Sequence, residues 1–324
     1  MAGAPHAPVK RRLSPTPVNR IECQLSETTT AESRTPVRSL GGRASGWAKQ
    51  GRAWAYKRSG AVLAVVAAAF IVGLPLAAIF LHLPQNPLQP DVESMALAPN
   101  SVHWFGTDGN GMDVFSRTIE SARLDLPISL AATAIALVIG VPLGLFATTG
   151  VAGEAIMRVV DAFAALPIIV IAVVSIQLMG GGATDVILAI ALVAAPRFVR
   201  LSRAAAISLR SSRYVEAAVA IGCSPIRVAF NHIFRNAYGV ILVQATLTTA
   251  GALSTIAALN FLGVGVKPPQ PSWGAMIDDG VSMLIRGQWW AVAFPALALL
   301  LVIGSLNIIA GAIEDKMERV EHTR

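Results

Sequence analysis

Residues 213–235 read RYVEAAVAIGCSPIRVAFNHIFR and lie between two long apolar runs. They belong to a basic segment in which Arg197, Arg200, Arg203, Arg210, Arg213, Arg227 and Arg235 face one acid, Glu216. Glu216, Ala217, Ala218 and Ala220 favour a short helix over 214–221. Gly222 then supplies a stop. Ser224 can cap a second helix, and Pro225 suits its first position. Ile226, Ala229, Phe230, Ile233 and Phe234 follow as an apolar stripe at helical spacing, with Arg227, Asn231 and Arg235 on the other face. The spacing predicts an amphipathic helix–turn–helix. Lying on a membrane surface would account for its basic amphipathicity. It would not require a Glu-Ala-Ala patch followed by a glycine.

The rest of the chain is apolar. Of 324 residues, 54% are hydrophobic and 14% charged, against about 25% charged in a soluble domain. Six runs approach the ~20 residues needed to cross a bilayer: 61–81, 126–149, 163–181, 184–201, 237–261 and 289–312. Lipid offers backbone groups no partner, so the expectation is an all-α membrane protein with six transmembrane helices. The third and fourth runs are joined by GGGAT (180–184), a tight hairpin. Residues 1–58, rich in Pro, Ser, Thr and Arg, read as a mostly disordered extension ahead of a transmembrane domain over 59–324. Trp47, Trp54 and Tyr56 alternate with Lys49, Arg52 and Lys57, as in an interfacial anchor.

Charge sets the orientation. Residues 1–60 carry eleven Lys/Arg against Glu22, Glu27 and Glu32. The loop 82–125 carries Arg117 and Arg123 against six acids. The positive-inside rule places both termini and the loop 202–236 in the cytoplasm. Trp104 and the Trp289-Trp290 pair then fall at the opposite interface, where an aromatic belt is expected. The net charge of +7 is topological bias rather than a nucleic-acid surface. Two separate cysteines, Cys23 and Cys223, make no disulfide framework or zinc site.

The spans narrow the mechanism by what they lack. Beyond Asp185, Arg197 and Arg200 at an edge, they hold no Asp, Glu, Lys, Arg or His. Proton-coupled carriers usually keep such groups in the membrane. No GxxxxGK[ST] loop, GxSxG or HExxH is present. The chain reads as a conduit without a motor, and neither catalytic nor metal-binding residues are expected. Gln244, Thr248, Gly251 and Thr255 fall on one face of the fifth span. That neutral polar face suits either a translocation path or interhelical hydrogen bonding with small-residue packing.

EAAVAIGCSPIRVAFNHIFRNA resembles the EAA loop of permease subunits from ATP-binding-cassette importers. The resemblance implies that the loop is the coupling helix docking in a cytoplasmic ATPase, with Glu216, Ala217 and Gly222 at its core and Ala218 among the coupling residues. Ser224, Pro225, Ile226 and Arg227 continue it into the next helix, and Ile233 matches a later apolar position. Where that family has Leu-Pro, this chain has Phe234-Arg235. HWFGTDGNGMDVFSR (103–117) resembles the HPFGTDxxGRDVFSR segment of dipeptide/oligopeptide permeases, with Met112 in place of arginine. PSWGAMIDDG (271–280) is similar to the segment those permeases carry before the last span. Gly106, Thr107, Asp108, Asp113, Arg117, Ser272, Trp273 and Gly274 are thereby expected in extracytoplasmic family segments. By position alone Asp113 starts a helix and pairs with Arg117 at i, i+4. A calcium loop through Asp108, Asn110 and Asp113 is disfavoured by Met112 at the fifth position.

The resemblance covers roughly residues 60–320 and implies a type I importer permease of the bacterial plasma membrane, as the second permease subunit. Its implied partners are a homologous permease, two ATPase subunits or domains, a solute-binding protein outside, and membrane lipid. ATP and magnesium would be bound by the ATPases, and no cofactor is expected on this chain. The implied solutes are di- and oligopeptides, with nickel chelates, glutathione or haem as alternatives. An ion-coupled secondary transporter is the rival of a different class. An intramembrane enzyme would need a histidine base that no span supplies.

Overall fold

The computed structural model describes residues 42–80, 83–148 and 150–322. The chain divides into two compact units, 1–54 and 55–324. Of the first, residues 42–54 are described and are helical; the rest of the extension, with Cys23, lies outside the described residues. The helices are α1 (Gly42–Phe80), α2 (Val114–Phe146), α3 (Gly150–Ala164), α4 (Ile168–Met179), α5 (Ala183–Arg210), α6 (Arg213–Ala220), α7 (Pro225–Phe261), α8 (Trp273–Leu284) and α9 (Trp290–His322). No strand occurs among the described residues, beyond an isolated bridge between Thr107 and Asp113.

Among the described residues, four stretches are long and apolar enough to cross a bilayer: Ala61–Phe80, Val114–Phe146, Pro225–Phe261 and Trp290–Arg319. They correspond to the first, second, fifth and sixth expected spans. The third run is broken. α3 and α4 meet at a bend of 93°, because Pro167 lacks an N–H and forces Leu166 away from helical geometry. The twelve residues of α4 rise only about 18 Å, short of a ~30 Å core. α5 holds the fourth run and is 28 residues long. Asp185, Arg197, Arg200 and Arg203 leave it outside the apolar set. The GGGAT hairpin is as tight as expected: Gly180 and Gly181 take φ of 107° and 78°, and α5 begins at Ala183.

α5 owes its place to small residues on α2. A side-chain carbon on Gly140 would stand 2.7 Å from Phe198 Cβ and 2.8 Å from the Ala195 carbonyl oxygen. One on Gly144 would overlap Ser202 Oγ and the Val199 carbonyl. Glycines four apart let the two backbones approach closely, as small-xxx-small pairs do in membranes. Around this seam Ala136, Val141, Leu145, Phe198 and Ala206 join Val215, Ala218, Val228 and Ile233 in one buried cluster. The short loop helices are thus packed onto the end of the bundle where α2 terminates.

Candidate functional site

α6 carries the Glu-Ala-Ala patch. Val215 and Ala218 are buried against the bundle, while Tyr214, Glu216, Ala217, Val219 and Ile221 are exposed. Its end is closed by a Schellman arrangement. The Cys223 N–H donates to the Ala218 carbonyl and the Gly222 N–H to that of Val219, each at 3.0 Å. Gly222 has φ +83°, where any Cβ is penalised, so the glycine of the motif has a conformational reason. Ser224 Oγ accepts from the Arg227 N–H at 3.4 Å and Pro225 opens α7, as expected. Ile226 and Arg227 are exposed on that first turn.

The predicted stripe is not reproduced. Residues 228–234 form a π-turn, and the buried set is Val228, Ala229 and Ile233 rather than one including Ile226 and Phe230. The wider turn brings Val228 and Ile233, five apart, onto one side. It lets the second helix run without interruption into the fifth span. A cleft of about 680 Å³ opens beside α6, with Glu216, Arg210, Val219 and Cys223 on its walls and Phe146 of α2 at its margin.

The two other family segments meet at the opposite end of α2. Asp108 Oδ1 accepts from the Asn110 and Met112 N–H groups at 2.9 Å each. Asp113 caps α2 by accepting from the Ser116 N–H at 2.8 Å, and its other oxygen lies 3.0 Å from His103 Nδ1. The expected Asp113–Arg117 pair is therefore absent. Arg117 turns to Asp108 Oδ2, 3.6 Å from its Nε, because the capping role has already oriented Asp113. Its Nη1 rests 2.6 Å from Met112 Sδ, where the arginine common in the family would bring a second positive charge. Replacing Asp113 with alanine is expected to cost about 1–2 kcal/mol by loss of the cap. Thermal unfolding of Asp113→Ala against Asp113→Asn checks this, since asparagine retains the capping oxygen.

Ser272, Trp273 and Gly274 bind this region to the bundle. Ser272 Oγ caps α8 at the Ala275 N–H. Trp273 is fully buried; its indole N–H donates to the Thr118 carbonyl at 2.9 Å and its backbone N–H to Asp125 Oδ2 at 3.0 Å. A Cβ on Gly274 would overlap the Ala257 carbonyl of α7. Trp290 reaches the Thr107 carbonyl with its indole N–H at 3.1 Å and packs on Gly106. Trp290 is thus a buried pin, not a belt residue, whereas Trp104 and Trp289 are exposed as expected. Asp279, on α8, faces Arg117, Asp108 and Asp278; burial pushes its carboxyl above the usual range and Arg117 opposes this. Asp125 escaped the sequence reading, which ended the loop there. It is a buried carboxylate within α2.

The polar lane of α7 is partly self-satisfied. Gln244 Nε2 donates to Thr248 Oγ1 at 3.1 Å, and Thr255 donates to the Gly251 carbonyl at 2.9 Å. Thr248 is buried and the other three are intermediate. Arg197 of α5 lies over Gly251, its Nη1 3.3 Å from where a Cβ would be.

Comparison with known proteins finds related sequences over most of the chain. The family model for binding-protein-dependent transport system inner membrane components matches residues 117–319. The dipeptide transport system permease protein DppC of Alkalihalophilus pseudofirmus is 36% identical over 270 residues, 79% of this chain and 85% of that one. The di/tripeptide transport system permease protein DppC of Pseudomonas aeruginosa is 38% identical, over 66% of this chain and 71% of its own. The glutathione transport system permease protein GsiD of Pectobacterium atrosepticum is 32% identical, over 70% and 76%. With apolar helices at one end joined by an exposed Glu-Ala-Ala helix, and with these matches over most of its length, the chain belongs to the family of inner membrane components of binding-protein-dependent transport systems.

Proposed function

We propose that the chain is the non-catalytic membrane subunit of an ATP-driven peptide importer, and that α6 with the turn 221–227 is its grip for a cytoplasmic ATPase. The observation that carries this is the split face of α6. Val215 and Ala218 anchor it, while Tyr214, Glu216, Ala217 and Ile221 stand free in a basic loop. An isolated domain gains nothing by exposing tyrosine and isoleucine there; a docked partner would cover them. ATP-driven closure of two ATPases would move α6 and, through α7, the wall formed by Gln244, Thr248, Gly251 and Thr255. A second permease would complete the path, and a solute-binding protein would deliver to the end built from 103–117 and 271–280. Both termini are cytoplasmic in this reading, on the basic side. The relatives named for dipeptides favour peptides as solute; the glutathione permease keeps that tripeptide as a second reading.

The test is reconstitution of the chain with its partner permease and ATPases in proteoliposomes. Glu216→Lys and Gly222→Pro are expected to lower ATP-dependent peptide uptake by about 5–150-fold, the scale of a lost coupling energy of ~1–3 kcal/mol. The melting temperature of Glu216→Lys should stay unchanged, because Glu216 is exposed. Normal uptake with normal ATPase stimulation in both variants would refute the grip.

A further inference from the structure

We propose that the cleft between α1, the first turns of α7 and the last turns of α9 is a binding site for an anionic phospholipid. The cleft measures about 1820 Å³. α7 and α9 line it antiparallel, in a register fixed where Met317 packs on Gly239. One end presents Arg235 and Lys316, with Asn236 beside them. The other presents Val65 of α1, Leu242 and Ile309. On each helix the charge and the apolar wall are seven residues apart, or about 10 Å along the axis. That matches the change from headgroup to acyl chain across a membrane interface.

Charge selects the occupant. Among the described residues no carboxylate lines the cleft, and neither Arg235 nor Lys316 is in an ion pair. Two unneutralised cations over an apolar wall fit a phosphate diester bearing acyl chains, and basic pockets between membrane helices bind such headgroups. A zwitterionic lipid would bring its own cation and gain less. The site also gives the Phe234-Arg235 step a role. Both residues line the cleft, and a Leu-Pro pair would remove the charge. Phe230, from the π-turn, lines it too, so an occupied cleft would brace the base of α7 beside α6.

The experiment uses the full chain in nanodiscs of phosphatidylcholine with a minority of phosphatidylglycerol, followed by gentle detergent extraction and native mass spectrometry. Phosphatidylglycerol should be retained about tenfold above its bulk proportion. Arg235→Gln with Lys316→Gln should return retention to the bulk ratio, while Arg235→Lys with Lys316→Arg preserves it. On the unaltered chain, raising salt before extraction should lower the enrichment, as electrostatic headgroup binding requires. No enrichment, enrichment that survives the double glutamine variant, or enrichment indifferent to salt would each overturn the site. None of these outcomes depends on what solute the transporter carries or on ATPase docking.

Discussion

Gly144→Val is expected to destabilise the isolated chain by about 3 kcal/mol, the upper part of the usual overpacking range. The substituent has nowhere to go. Ser202 Oγ and the Val199 carbonyl occupy its position, and the Arg203 nitrogen stands 3.1 Å away. Relief would require α2 and α5 to separate along the seam that also holds Phe198 and Leu145. α6 packs on the same cluster, so its anchorage would loosen as well. The measurement is the midpoint of thermal unfolding in mild detergent, with Gly304→Ala as the contrast. Gly304 has nothing within 4 Å of a new Cβ, so alanine there should stabilise by about 0.8–1 kcal/mol through helix propensity. Shifts of equal sign in the two variants would show that the α2–α5 contact does not govern stability.

Trp273→Ala is the second large effect, about 3–5 kcal/mol. The indole is fully buried in a cluster with Leu126, Leu253, Val302 and Leu306, and its N–H bond to Thr118 goes with it. Removing it unpins α8 from both α2 and α7. Trp273→Phe keeps most of the volume and loses the hydrogen bond, so it should cost only about 1 kcal/mol. Hydrogen exchange over 273–284 in each variant tests the claim. Protection there should fall sharply in the alanine variant and little in the phenylalanine one.

Legibility in the sequence depended on which interactions were local. Four of the six apolar runs, the Gly222 stop, the Ser224 cap and the GGGAT hairpin follow from composition and neighbouring residues, and these appear in the structure. Three features resisted because their causes are not local. The π-turn at 228–234 cannot be told from an α-helix when Val228, Ala229 and Ile233 offer four- and five-residue spacings together. Asp125 looks like the last residue of a polar loop until Trp273, 148 positions onward, presents its N–H. Trp290 has the composition of an interfacial residue and becomes a core pin only because Thr107 offers a carbonyl. Pro167 lies inside an otherwise continuous apolar run, and a proline there is compatible with a kinked span or a full break; the separate helix α3 decides for the break. Of the proposed coupling residues, Glu216, Ala217, Ile226 and Arg227 are exposed and Ala218 is buried; the reconstitution described above tests their role.

The uninterrupted run from Pro225 to Phe261 has a mechanical consequence. Thirty-seven residues rise about 55 Å, so the rod that begins in the basic loop ends beside the Asn260 side chain, which accepts from the Val266 N–H at 2.7 Å. The π-turn at 228–234 is the one departure from α-helical geometry along it, and so the place where it would bend. Under the proposed function, a displacement of its foot would reach its head along one continuous helix, with no loop between the two ends.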